Sequence, residues 1–160
     1  MPKLDDFIRA EKTEVKISEW REGRINPSSF PLSGAKRAHY RYGPAYCWRL
    51  VTFQCLGTEC RVLIIINESK GIFRSIFAVS VDNDLAVLCT HEYHADHPGW
   101  HCHVERKALA DVRPGIFRTG QRRWPAVRAR HSQVDFGINK ASAITHVAAR
   151  FGFAANGELL

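Results

Sequence analysis

The sequence predicts an α+β fold: a single domain built on an antiparallel sheet of four to six strands, with a C-terminal helix packed on one face. Three stretches carry that reading. Residues 46–56 and 59–67 form two apolar-rich runs separated by Gly57-Thr58. Residues 85–89 are continuously apolar and lead straight into a histidine-rich stretch that ends at Glu105. Residues 138–151 repeat apolar side chains at helical spacing.

Taken in order, residues 1–45 are an N-terminal segment and loop. Asp5 or Asp6 is placed to cap a short helix containing Phe7 and Ile8, and Val15 and Ile17 then alternate as in a strand. From Gly23 to Pro44 the chain is rich in Gly, Pro and Ser, a loop composition, and encloses the basic and aromatic run from Lys36 to Tyr42.

Residues 46–105 form the sheet core. A two-residue loop with glycine first fits a type II′ hairpin turn, which makes cross-strand numbers sum to 115. Val51, Phe53, Cys55, Cys60, Val62, Ile64 and Ile66 then share a core face, with Cys55 opposite Cys60. Residues 69–81 fit either a helix or a strand, and the short Asp82-Asn83-Asp84 turn favours the strand. Residues 106–137 form an Arg-rich connecting segment. Residues 138–152 form the C-terminal helix: Asn139 is its N-cap, Gly152 terminates it, and Ala141, Ile144, Val147, Ala148 and Phe151 face inward. His146 and Arg150 fall outside that stripe and are expected in solvent.

Length and composition exclude several classes. A chain of 160 residues buries roughly 70% of its unfolded surface as one domain. No apolar run approaches the ~20 residues that span a bilayer, and no basic stretch followed by an apolar core opens the chain, so a cytoplasmic protein without a membrane partner is expected. Five cysteines, mostly within apolar runs and with no C-x-x-C pair, do not form a secreted disulfide framework. The net charge of +7 is concentrated. Between Asp111 and Asp135 there is no acidic residue, while Arg113, Arg118, Arg122, Arg123, Arg128 and Arg130 all lie there. Such a segment suits nucleic acid or another anionic partner.

Residues 90–105 hold five of the eight histidines. They read as a hairpin about Asp96-His97-Pro98-Gly99 with cross-strand numbers summing to about 195, which sets His94 opposite His101 and Glu92 opposite His103 on one face. Three chemistries use that grouping. His94, His101 and His103 match a three-ligand site for one divalent transition metal, zinc foremost, with an open position. Without metal, the same imidazoles and Glu92 serve acid–base catalysis. Cys102 is a nucleophile candidate, with His91 across the hairpin as its base.

Together with Arg118, Arg122, Arg123, Arg128 and Arg130 as the anion-holding set, the cluster predicts a small hydrolase or nuclease-like protein. Its substrate would contain phosphate, as in a nucleic acid or nucleotide, and its reaction centre would be His94, His101, His103 and Glu92. The contrasting expectation is a non-enzymatic module that binds nucleic acid or an acidic protein, with a structural histidine cluster.

Overall fold

The computed structural model describes residues 1–94, 99–118, 120–124 and 137–160. Its centre is a meander of five long strands: β3 (Cys47–Cys55), β4 (Thr58–Asn67), β5 (Ile72–Val81), β6 (Asp84–His94) and β7 (Gly99–Val104). Short strands extend it on both sides. β1 (Thr13–Ile17) and β2 (Arg21–Glu22) pair with β3, β8 (Arg122–Trp124) pairs with β7, and β9 (Glu158–Leu159) lies parallel to β1. All other pairings are antiparallel, so the fold is α+β as expected, but the sheet has nine strands, not four to six. The strands beyond that expectation, β2, β8 and β9, run from two to three residues, too short for a period-two pattern to register.

Each face of the sheet is covered differently. On one face lie α1 (Leu4–Arg9) and α2 (Lys140–Phe151). They bring Leu4, Phe7, Ala143, Val147 and Phe151 onto Val51, Phe53, Val62, Ile64, Phe73 and Phe77. On the other, the loop following β2 contributes Ile25, Phe30, Leu32 and Tyr40, which pack on Trp48, Leu50, Leu63, Ile65, Ile76, Leu85 and Val87. The loop crosses the sheet without strands of its own. Its ordering comes from contacts such as Tyr40, whose hydroxyl donates to Phe30 O at 2.7 Å and accepts from Leu32 N at 3.1 Å.

Local chemistry sets the element ends. In α2 the Asn139 side chain accepts from Ser142 N–H at 2.9 Å. Gly152 ends the helix with φ 76°, and a Cβ there would stand 2.5 Å from Ile8 O, so the left-handed cap also permits the approach to α1. In α1 the N-cap is Lys3; Asp6 lies inside the first turn and accepts from Lys3 N–H at 2.8 Å.

The β3–β4 turn is shifted by one residue from expectation. Leu56 and Gly57 are its central residues, with φ 51° and 76°, a type I′ pattern, not type II′. Thr58 belongs to β4, where its hydroxyl donates to Ser80 O at 3.3 Å. Cross-strand numbers therefore sum to 113, and Cys60 faces Phe53 instead of Cys55. A shift of two preserves the faces, and the predicted core face is buried as a set. The α2 stripe also moves: Ala143 is buried where Ala141 was expected. Among the described residues no helix is long and apolar enough to cross a membrane.

Candidate functional site

A β-bulge positions the site. Phe77 pairs with Cys89 and Ala78 with Val87, which leaves Leu88 as an extra residue in β6. Leu85 and Val87 face the loop side, whereas Ala86, Leu88 and Cys89 all face the helix side. The side-chain alternation is thereby reversed beyond the bulge. Thr90, Glu92 and His94 emerge on the loop side; had the alternation run unbroken through Leu88, they would point into the helices.

β7 completes the face. Glu92 lies opposite His101, Thr90 opposite His103, and His94 opposite Gly99. Numbers sum to 193, two fewer than predicted, so the expected pairs are exchanged while Glu92, His94, His101 and His103 still share one face. Gly99 carries φ 85° and belongs to the strand, which moves the ladder's end. Asp96, His97 and Pro98, the rest of the predicted turn, lie outside the described residues.

Glu92 is the hub. It is only 2% exposed. Its Oε1 accepts from Arg118 Nη2, and its Oε2 lies 3.4 Å from Arg74 Nη2. Arg118 forks, because its Nη1 also stands 3.1 Å from His103 Nε2. A guanidinium has only donors, so His103 Nε2 accepts and the ring carries its proton on Nδ1. His101 takes the same tautomer, fixed through its other ring nitrogen. Its Nδ1 donates to Gly99 O at 2.9 Å, which leaves the lone pair on Nε2. Ring centroids of His94 and His101 are 4.7 Å apart, and those of His101 and His103 5.2 Å.

The site favours neutral imidazoles and a bound anion. Burial, with added repulsion from His94, Arg123 and His103, pushes His101 down to about 4 against the pull of the Gly99 carbonyl. Burial, Arg123 and Arg74 lower His103 as well. Burial and Arg74 push even the Arg118 guanidinium down to about 10, partly offset by the Tyr42 phenol. Arg74 and Arg118 thus share the Glu92 carboxylate, while Arg123 lies beside His101 and His103. Arg118 Nε, Arg123 Nε and Thr90 Oγ1 are buried and have no hydrogen-bond partner among the described residues. Buried N–H groups are normally paired, and two guanidinium N–H donors at one cluster mark the place of an acceptor.

Glu92, His94 and His101 also form a group that could hold a metal ion, with one donor atom from each all within 4.8 Å of one another. His103, placed by sequence in the metal set with His94 and His101, has its Nε2 on Arg118 instead.

The predicted arginines divide. Arg118 and Arg123 reach the cluster, the latter opposite His103 in β8. Arg122 is exposed and opposite Val104, with the reverse alternation. Arg128 and Arg130 lie outside the described residues. Arg74 was missed by sequence reasoning, although one signal was available: it is the only charge in the apolar run 72–79, and it shares alternation with Ile76. Tyr42, from the basic and aromatic run, lies beside Arg74, whose charge partly offsets the rise that burial imposes on its phenol. Phe117 lies under both guanidiniums, with centroid distances of 5.6 Å to Arg74 and 5.0 Å to Arg118.

The helix face of the same hairpin is different. His91 stacks on Trp100 and on His146, with centroids at 5.0 and 5.2 Å. Burial, Arg150 and His146 push it down to about 3. His146, expected in solvent, is therefore a packing partner, whereas Arg150 is exposed as expected and its Nη2 reaches back to donate to Cys102 Sγ at 2.5 Å. Cys102 is 1% exposed. Hydrogen bonds from Cys89 and the charge of Arg150 lower its thiol to about 7. The partners of its sulfur are thus Cys89 and Arg150, whereas His91 was the expected base. A cavity of about 620 Å³ lined by Leu4, Ile8, Cys89, Arg150 and Phe151 opens on this face, away from the Glu92 cluster.

The chain matches no protein-family model, no curated protein and no solved structure.

Proposed function

We propose that this chain is a small hydrolase of phosphate esters, nuclease-like in its preference for anionic, phosphodiester-containing substrates. The observation that carries this reading is the pair of buried, unpartnered guanidinium N–H groups of Arg118 and Arg123 beside three imidazoles on one sheet face. Arginine presents a planar fork that matches two phosphate oxygens. Fixed cations aimed at the phosphoryl group stabilise the charge that builds up in the transition state, and each such donor is worth about 10²–10³ in rate.

Nucleophile activation falls to the histidines. At neutral pH His101 is an imidazole with its Nε2 lone pair exposed to the site. It accepts a proton directly or coordinates a metal that lowers the pKa of bound water to about 7. Glu92 holds Arg118 in place, and Arg118 in turn keeps His103 neutral. The cationic face suits a phosphodiester backbone or nucleotide better than a neutral substrate.

The test is hydrolysis of a panel of RNA, DNA and nucleotides by wild type and by the double variant His101→Ala/His103→Ala. The expected loss is about 10²–10⁴-fold in kcat/KM, with substrate binding that weakens steeply as salt rises. A wild-type protein that binds nucleic acid without cleaving it, and a double variant that binds equally well, would assign the chain to the non-enzymatic binding class instead.

A further inference from the structure

Glu92 is claimed by two kinds of cation. Arg118 and Arg74 hold its oxygens. The same carboxylate also belongs to the three-donor group with His94 and His101. His101 is presented as metal-binding histidines usually are, with the far ring nitrogen donated to a backbone carbonyl so that the near one keeps its lone pair. One carboxylate and two neutral imidazoles suit zinc or another divalent transition ion and leave positions open.

Electrostatics opposes that ion when it comes alone. Arg74 and Arg118 on one carboxylate, with Arg123 beside His103, leave the described cluster net positive before any metal arrives. A metal would also compete with Arg118 and Arg74 for the Glu92 oxygens, and a guanidinium cut off from its carboxylate in a partly buried site is costly. A phosphate-type anion removes both obstacles. It offsets the added charge, and it offers Arg118 a new acceptor within the same fork geometry. Arg118 is suited to this exchange: its side chain is 33% exposed, and its Nε donor is unused.

We propose that Glu92, His94 and His101 bind a divalent transition metal together with a phosphate-type anion, Arg118 passing from Glu92 to the anion as the metal arrives. The proposal deepens the phosphate-ester reading and rests on it. Its consequence is reciprocal linkage: each ligand tightens the other by the same factor. The metal is therefore held firmly only when substrate or product phosphate is present.

The experiment titrates micromolar zinc into the full chain against a chromophoric chelator, with and without millimolar inorganic phosphate. Phosphate is expected to tighten zinc binding about tenfold or more. Arg118→Gln, which removes one competitor for Glu92, is expected to bind zinc tightly in either buffer and to lose the phosphate effect. His101→Ala is expected to lose zinc in both. Zinc affinity in wild type that is equal in the two buffers overturns the proposal, as does an Arg118→Gln protein that folds and binds zinc more weakly than wild type. If that variant does not fold, the wild-type comparison decides alone. A calorimetric arm with phosphate and chelator-treated protein separates the two readings. Phosphate binding that is indifferent to zinc overturns the linkage and leaves the phosphate site standing. Phosphate that binds neither metal-free nor zinc-loaded protein removes both.

Discussion

The β6–β7 hairpin displays histidines on both faces, and the two sets have opposite fates. On the helix face, His91 and His146 are flat rings in a stack with Trp100, and neither shows a charged partner that would keep it protonated. On the loop face, His101 and His103 have a ring nitrogen fixed by a carbonyl or a guanidinium, and a buried carboxylate lies between two arginines with a third beside His103. Residue type is the same; what differs is whether the covering layer brings apolar helix or polar loop. Imidazole next to helix becomes packing material. Imidazole next to arginine and glutamate becomes a site.

That contrast is open to attack by substitution. The largest structural effect is expected at Glu92. Glu92→Gln leaves Arg118 and Arg74 without their counter-charge in a buried setting, and the expected cost is about 3–5 kcal/mol, read from the urea midpoint. A loss below ~1 kcal/mol would mean that the carboxylate is not the hub.

Arg123→Ala comes next. It removes a donor from the anion site and is expected to weaken phosphate binding by about tenfold, in the range of one charge-assisted hydrogen bond, with little change in stability. His91→Phe addresses the helix face. A ring of similar shape should change stability at neutral pH by less than about 1.5 kcal/mol. It should, however, flatten the acid limb. His91 is pushed from 6.5 to about 3, so between those values the unfolded chain takes up a proton that the folded one refuses. Its stabilising contribution is thus complete above pH 6.5 and is lost as pH falls toward 3. Thermal melts from pH 7 to 4 should show a shallower decline in the variant. The smallest effect is expected from Arg122→Ala, an exposed arginine on the wrong alternation. Its stability should stay within about 0.5 kcal/mol of wild type, with phosphate binding nearly unchanged beside that of Arg123→Ala.

Much of this organisation was legible in the sequence. The hairpin register was wrong by two at both turns, yet every predicted face was right, because faces depend only on parity. The grouping of Glu92, His94, His101 and His103 survived for that reason. Which side of the sheet they would occupy was not legible: it depends on Leu88, whose extra position in β6 leaves no trace in composition or period. Arg74 was hidden because β5 read as helix or strand, and its direction is meaningless until that choice is made. His146 was misplaced because a helical stripe shows which residues face the core, and not that a neighbouring strand will offer a stacking ring at the stripe's edge; Arg150 is exposed as expected, and only its contact with the Cys102 sulfur was not legible.

The most direct measurement sets the two faces side by side. Phosphodiester hydrolysis is followed for wild type, His101→Ala and His91→Phe at one pH and one salt concentration, each checked for folding by circular dichroism. The account predicts that His101→Ala loses at least ~10²-fold in kcat/KM while His91→Phe stays within a few-fold of wild type. Equal loss in both variants, or activity that survives in His101→Ala, would contradict the assignment of the loop face as the reaction centre.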